Sequence, residues 1–300
     1  MGVFSSKKGL NKLKKDLIAS IKQLYPGFSK GQKLISDYIV NNYEKAAFMT
    51  AAKLGKEVNV SESTVVRFAT ELGFEGYPGL QKAMQEEIRT RLTSVQRMKI
   101  ISDKMSDKDI LKTVLMSDID KLTKTLSEIK EEDFLGAVDT ILNSKRIYIL
   151  GARSCYSLAN FLEFYLNHIC DNVKKVSTTS ASETFEQMYR VGKDDVVIGI
   201  SYPRYSKRTI NALKFASDRG ARIVAITDSA LSPIAEYATY VLTARNDMST
   251  FVDSLVAPLS VINALIVALV MKRKDEVARN YEELEDIWDE YDVYEKNSDE

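Results

Sequence analysis

The sequence predicts an α/β protein in two parts: an all-α N-terminal domain, then a doubly wound parallel sheet. Three observations predict it. Through the first hundred residues, apolar residues recur at three- and four-residue spacing, and short capping residues open the runs. From residue 147 the pattern changes to short continuous apolar runs at 147–150, 196–200, 223–226 and 240–242, with a weaker run at 173–176. Segments of helical pattern lie between them, at about 156–169, 206–218 and 231–237. Apolar strands alternating with helices imply parallel sheet covered on both faces.

The N-terminal elements follow in order. Leu13, Leu17, Ile21 and Leu24 approximate a helical stripe that Pro26-Gly27 breaks. A helix is expected over 29–43 with Leu34, Ile35, Tyr38 and Ile39 inward. Thr50 can cap a short helix carrying Ala51, Leu54 and Val58, and Asn59-Val60 then makes a tight turn. Ser61 caps the next helix, whose apolar face is Val65, Phe68, Ala69 and Leu72, and Gly73 suits its end. The opposite face carries Ser63, Arg67 and Thr70, with Thr64 at its edge. Short hydrogen-bonding side chains plus one arginine suit a helix that enters a major groove. Two such helices in succession look like a helix-turn-helix, with Thr50, Ser61, Ser63, Thr64, Arg67 and Thr70 as DNA-contact candidates. An ordinary helical hairpin shows the same pattern, and in it Arg67 packs internally or pairs with Glu71. A turn is expected at 74–79, then a helix from about 80 carrying Lys82, Arg89 and Arg91, closing a domain at 1–95.

A polar, lysine-rich linker is expected at 96–106. The next helix carries Ile110, Val114, Leu115, Ile119, Leu122 and Leu126, which serve either as core or as a pairing surface. A second helix from about 131 carries Phe134, Val138 and Leu142. Ligands of parallel sheets bind beyond the carboxyl ends of the strands, near helix N-termini. Those ends are rich in hydroxyls here. Hydroxyls, loop amides and Arg153 or Arg204 there would suit a phosphate or polyol, and the candidates for an anionic small molecule are Ser154, Ser177, Thr178, Ser182, Ser201, Arg204 and Ser206. Capping explains any one serine or threonine, but it accounts less well for several such segments on one edge. The sheet domain is expected over 107–275, with an acidic helix or tail at 276–300.

Composition narrows the function. The 42 Lys and Arg balance 42 Asp and Glu, but unevenly along the chain. Residues 1–100 hold 17 basic against 9 acidic residues, and 272–300 hold 5 against 12. A basic N-terminal part is consistent with nucleic-acid binding. The only cysteines, Cys155 and Cys170, fit no disulfide pattern, and His168 is the only histidine, so no metal site and no cofactor is expected. The apolar run at 255–271 contains Pro258, Ser260 and Asn263 and reads as a buried helix, not a membrane span. No export signal is seen, and a cytoplasmic location is expected.

The stretch Val60-Ser-Glu-Ser-Thr-Val-Val-Arg-Phe-Ala-Thr-Glu-Leu-Gly-Phe74, with Gly76-Tyr77, resembles the RpiR (MurR/RpiR) family of bacterial transcriptional regulators. So do Asp195-Val-Val-Ile-Gly-Ile-Ser201 and Gly220-Ala-Arg-Ile-Val-Ala-Ile-Thr227, which match its sugar isomerase (SIS) domain. The resemblance implies a helix-turn-helix that binds operator DNA and an SIS domain that senses a phosphorylated sugar or related anionic metabolite. A homodimer or homotetramer is expected, because dimers read paired half-sites. The usual SIS loop Ser-x-Ser-Gly-Glu-Thr reads here Ser201-Tyr-Pro-Arg-Tyr-Ser206, so Pro203 replaces the second serine and Arg204 the glycine. Cys155 stands where the first loop is expected to carry serine. Glu183 after Ser182 resembles the Ser-Glu of SIS isomerases, which adds it to the ligand-binding candidates and gives the other reading of the fold, an aldose–ketose phosphosugar isomerase with Glu183 as base. A dedicated DNA-binding domain favours the regulator, and no catalytic residue is expected.

Overall fold

The computed structural model describes residues 17–91, 98, 109–178, 180–246 and 252–295. Leu13, the 96–106 linker apart from Met98, and the last five residues lie outside them. The chain divides into two compact units, Met1–Val95 and Gln96–Glu300.

The described part of the first unit is helical: α1 Leu17–Leu24, a 3-10 turn Tyr25–Gly27, α2 Lys30–Asn41, α3 Tyr43–Ala46, α4 Ala51–Glu57, α5 Glu62–Glu71 and α6 Tyr77–Arg91. Ser29 caps α2 in a reciprocal box with Gln32. The single helix expected over 29–43 is interrupted at Asn42, whose φ of −130° breaks the helical run and sets off the single turn of α3. The helix expected from about 80 starts at Tyr77, because Pro78 falls in its first turn, where a missing N–H costs nothing. Ile35, Ile39, Leu54, Val65, Phe68, Leu80 and Met84 fill the core, and the Phe28 ring meets Phe68 edge-on at 5.2 Å. The buried Tyr77 hydroxyl donates to the Met49 carbonyl at 2.9 Å, and burial pushes its pKa up to about 12.

The second unit opens with α7 Ile110–Glu128 and α8 Glu131–Leu142. There follow β1 Ile147–Gly151, α9 Cys155–Leu166, β2 Val173–Lys175, α10 Ala181–Met188, β3 Val196–Ile200, α11 Lys207–Asp218, β4 Arg222–Thr227 and β5 Tyr240–Thr243. The segment expected as a helix over 231–237 is only a 3-10 turn, Ala235–Tyr237, since a turn at Ser232 and Pro233 precedes it. α12 Val256–Lys272 and α13 Lys274–Glu290 complete the unit. The five strands are all parallel, in the order β2-β1-β3-β4-β5. Strand residues alternate between two cores. Ile147, Ile149, Val196, Ile198 and Ile200 pack with α8, α9 and α12, while Tyr148, Leu150, Val197, Ile223 and Ala225 pack with α11 on the other face. Helices on both faces make the sheet doubly wound, as the apolar runs predict.

α7 departs from its pattern. Its fully covered residues are Lys121 and Thr125, while Leu115, Ile119 and Leu126 are 54 %, 55 % and 81 % exposed. The Lys121 ammonium is satisfied within its own helix by Ser117 at 2.7 Å and Asp118 at 3.2 Å. The Thr125 hydroxyl accepts the Arg245 N–H at 2.8 Å, and Arg245 pairs with Glu128 at 2.5 Å. This helix is therefore held to the end of β5 by polar groups.

Candidate nucleic-acid helix and ligand crevice

α4 and α5 form the expected pair. The Thr50 hydroxyl caps α4 by accepting the Lys53 N–H, and Val60 N–H bonds back to the Gly55 carbonyl at 2.9 Å. Asn59 turns the chain with φ of 54°, a conformation that asparagine tolerates. A methyl at Gly55 would lie 2.8 Å from the Val60 carbonyl oxygen, so glycine lets the turn approach α4 this closely. The Ser61 hydroxyl caps α5 by accepting the Thr64 N–H at 3.3 Å, and it also meets the Ser63 and Thr64 hydroxyls at 2.9 and 2.8 Å. Val65, Phe68 and Ala69 are buried, while Leu72, expected inward, is only half-covered because it is the C-cap.

Thr50, Ser61, Ser63, Arg67 and Thr70 are exposed, and Thr64 is partly so. Arg67 neither packs inward nor pairs with Glu71. Its Nε donates to the Ser63 carbonyl at 3.3 Å, and Glu71 instead accepts from Gln32. Val66, 38 % exposed, sits on the same outer face and was not among the expected contacts. Thr70 bonds back to the Val66 carbonyl at 3.2 Å. The outer face thus offers hydroxyls, one guanidinium and one apolar side chain, the set that meets phosphates, base edges and thymine methyls.

In the second unit the strand order reverses between β1 and β3, which lie side by side. A crevice opens there because the connections leave toward opposite faces of the sheet. The loop after β1 carries Ser154, and the loop after β3 carries Ser201, Arg204 and Ser206. Ser177, Thr178, Ser182 and Glu183 follow β2, on the other side of β1. All eight candidates thus follow three neighbouring strands. Ser201 is buried, and its hydroxyl accepts the Ser206 N–H at 3.3 Å. Ser206 caps α11 through Thr209. Ser154 is exposed and makes no capping bond to α9. Ser177 meets the Tyr156 hydroxyl at 3.3 Å; this contact, and then Lys175, hold the Tyr156 phenol below its ordinary value. The Thr178 hydroxyl donates to Glu183, whose carboxylate is exposed. The cap of α10 is Ser180, and Ser182 is exposed with its hydroxyl 2.9 Å from that of Ser180.

The structure adds residues that the pattern did not single out. Arg208, in the first turn of α11, donates to the Thr178 carbonyl and so ties the loop after β2 to the loop after β3. The Tyr205 hydroxyl donates to buried Asp228 at 2.8 Å, fixing the 201–206 loop against the end of β4. Asp228 and Arg208 were legible only as parts of polar strand ends. Cys155 and Tyr202 are buried at the β1 and β3 ends. Burial pushes the Cys155 thiol up to about 11 and the Tyr202 phenol well above its ordinary value, so both are neutral near pH 7. A methyl at Gly151 would lie 2.3 Å from the Cys155 carbonyl, so the tight turn at the base of the crevice requires glycine.

Two family models match the chain. A helix-turn-helix domain of the rpiR family covers residues 15–91, and the SIS domain covers 140–268. An uncharacterised HTH-type transcriptional regulator of Haemophilus influenzae is 26 % identical over 88 % of this chain and 92 % of its own length. One from Clostridium perfringens is 25 % identical over 72 % and 76 %. Among solved structures, the sugar isomerase domain of an RpiR transcription factor from Sphaerobacter thermophilus is 26 % identical, with a TM-score of 0.56 over 59 % of this chain and 98 % of that one. The Vibrio vulnificus NanR protein, complexed with ManNAc-6P, shares the fold at 20 % identity and a TM-score of 0.56, over 91 % and 98 %. With the helix-turn-helix and the SIS domain in this order on one chain, the protein belongs to the RpiR family of HTH-type transcriptional regulators.

Proposed function

We propose that the protein is a cytoplasmic, ligand-responsive regulator in which residues 1–95 bind operator DNA and the SIS domain, 107–275, binds an anionic metabolite that changes operator affinity. α5 is the reading helix, with Ser63, Arg67 and Thr70 toward the groove and Thr50, Ser61 and Thr64 beside the phosphates. The ligand is a phosphorylated sugar or a related anion. Its site is the end of β2, β1 and β3, with Ser154, Ser177, Thr178, Ser182, Glu183, Ser201, Arg204 and Ser206 around it.

One observation carries this reading. Hydroxyls from three neighbouring strand ends gather at the reversal of strand order, where the N-termini of α9 and α11 favour negative charge. Binding without turnover fits better than isomerisation. The sole histidine lies beyond the C-terminal end of α9, its ring 5.0 Å from Phe164 and 5.6 Å from Tyr281, at the opposite end of that helix from the crevice. Glu183 is the base candidate that remains.

The partner that covers α7 is a second copy of this chain. Leu115, Ile119, Leu122 and Leu126 repeat at spacings of four, three and four, the seam that packs against another helix. A twofold dimer also presents two α5 helices to paired half-sites.

The test is a gel-shift titration of operator DNA at fixed salt against a panel of sugar phosphates that begins with ManNAc-6P. One member is expected to change the affinity of the wild type. Ser201→Ala should bind operator normally and lose that response. A response unchanged in Ser201→Ala places the site elsewhere, and turnover of the effector by the wild type overturns the non-enzymatic reading.

A further inference from the structure

We propose that Arg153 is a ligand-binding residue that forms, with Arg204, a two-arginine clamp for a doubly charged group of phosphate-monoester type. The proposal rests on the reading of the β1/β3 end as the effector crevice and adds a residue and a charge requirement to it.

Three observations point to the clamp. The first is place. Gly151 and Ile200 form the last paired rung of β1 and β3. Arg153 lies two residues beyond that rung and Arg204 four residues beyond it, on strands about 5 Å apart. The second is backbone conformation. Among the described residues of the second unit, the non-glycine positions with positive φ are Arg153 at 58°, Arg204 at 38° and Asp292 at 51°. Asp takes such angles readily, and arginine takes them seldom. Backbone outliers of this kind cluster at active sites and ligand clamps. The third is electrostatics. Arg153 precedes the first residue of α9 by two positions, and Arg204 precedes that of α11 by three. The positive end of a helix dipole repels a cation. Both arginines therefore sit in an unfavourable backbone region and at the unfavourable end of a helix, on the two loops that flank one crevice. Arg153 is exposed; its carbonyl accepts the Tyr156 N–H at 3.0 Å, and among the described residues its guanidinium makes no hydrogen bond or ion pair with the protein.

An anion between the two loops reverses the electrostatic cost. Guanidinium groups bind the oxygens of a phosphate through paired hydrogen bonds. Two of them beside two helix N-termini match a dianion better than a single carboxylate.

Glycine also supplies the test, since it removes the guanidinium and accepts positive φ without strain. Full-length wild type, Arg153→Gly, Arg204→Gly and Arg153→Lys are melted with and without inorganic phosphate and fructose 6-phosphate, and affinities are read from the shift. Without ligand, both glycine variants should melt at or above the wild type. Each should bind both probes at least tenfold more weakly, with Arg153→Lys in between. Wild-type affinity in Arg153→Gly overturns the clamp, as does a wild type that neither probe stabilises. If Arg153→Gly binds normally while Ser201→Ala does not, the clamp falls and the crevice stands; if both bind normally, both fall.

Discussion

Two amphipathic helices of this chain, α5 and α7, were read by the same rule and turn out to be opposite. In α5 the apolar residues Val65, Phe68 and Ala69 are covered, and the polar face meets solvent. In α7 the covered residues are Lys121 and Thr125, while Leu115, Ile119 and Leu126 are exposed and Leu122 is half-buried. Periodicity establishes that a helix has an apolar face. It does not say which molecule covers that face. For α5 the cover is its own unit, since Phe28 packs on Phe68. For α7, Leu115, Ile119 and Leu126 have no such cover among the described residues; the helix packs on α12 and is tied to Arg245 by polar contacts.

The widest separation between the two comes from equivalent truncations. Phe68→Ala should destabilise the N-terminal unit by about 3–5 kcal/mol, the cost of a large cavity in a small core. Leu126→Ala should change the stability of a protomer by under about 0.5 kcal/mol, since that side chain is 81 % exposed. It should, however, weaken self-association in sedimentation. Equal loss of stability in both, by urea unfolding, would remove the distinction. Next in size, Arg67→Ala should cost about 1–3 kcal/mol of operator binding while leaving the melting temperature unchanged. A fall in melting temperature with normal DNA affinity would make Arg67 a structural residue of α5. A smaller loss than at Arg67 is expected at the polar seat of α7. Thr125→Val removes the acceptor of the buried Arg245 N–H and should cost about 1–2 kcal/mol of the second unit's stability. A stabilised Thr125→Val would show that the contact at 2.8 Å contributes nothing.

Much of α5 was legible because its parts are local. Ser61, Val65, Phe68 and Gly73 lie within thirteen residues, and capping, period and C-terminal glycine each act over three or four residues. The crevice was legible only in outline. Its serines end apolar runs, and a run followed by hydroxyls marks a strand end facing a helix N-terminus. The pairing of loops was not legible. Arg208 reaches Thr178 across 30 residues and Tyr205 reaches Asp228 across 23, and no short-range pattern encodes such distances.

By itself the sequence determined the two-part organisation, the run of helices and parallel strands, the capped α5 and the strands whose ends are polar. These depend on hydrophobic period and on caps, which are properties of neighbouring residues. Only the tertiary structure decided that β1 lies between β2 and β3, which places the reversal of strand order, and with it the crevice, at Arg153, Ser201 and Arg204. Only it decided that α7 turns its lysine inward and its leucines outward. Strand order and the side of a helix that is covered depend on which distant surfaces fit together, and the residues of one segment carry only half of that fit.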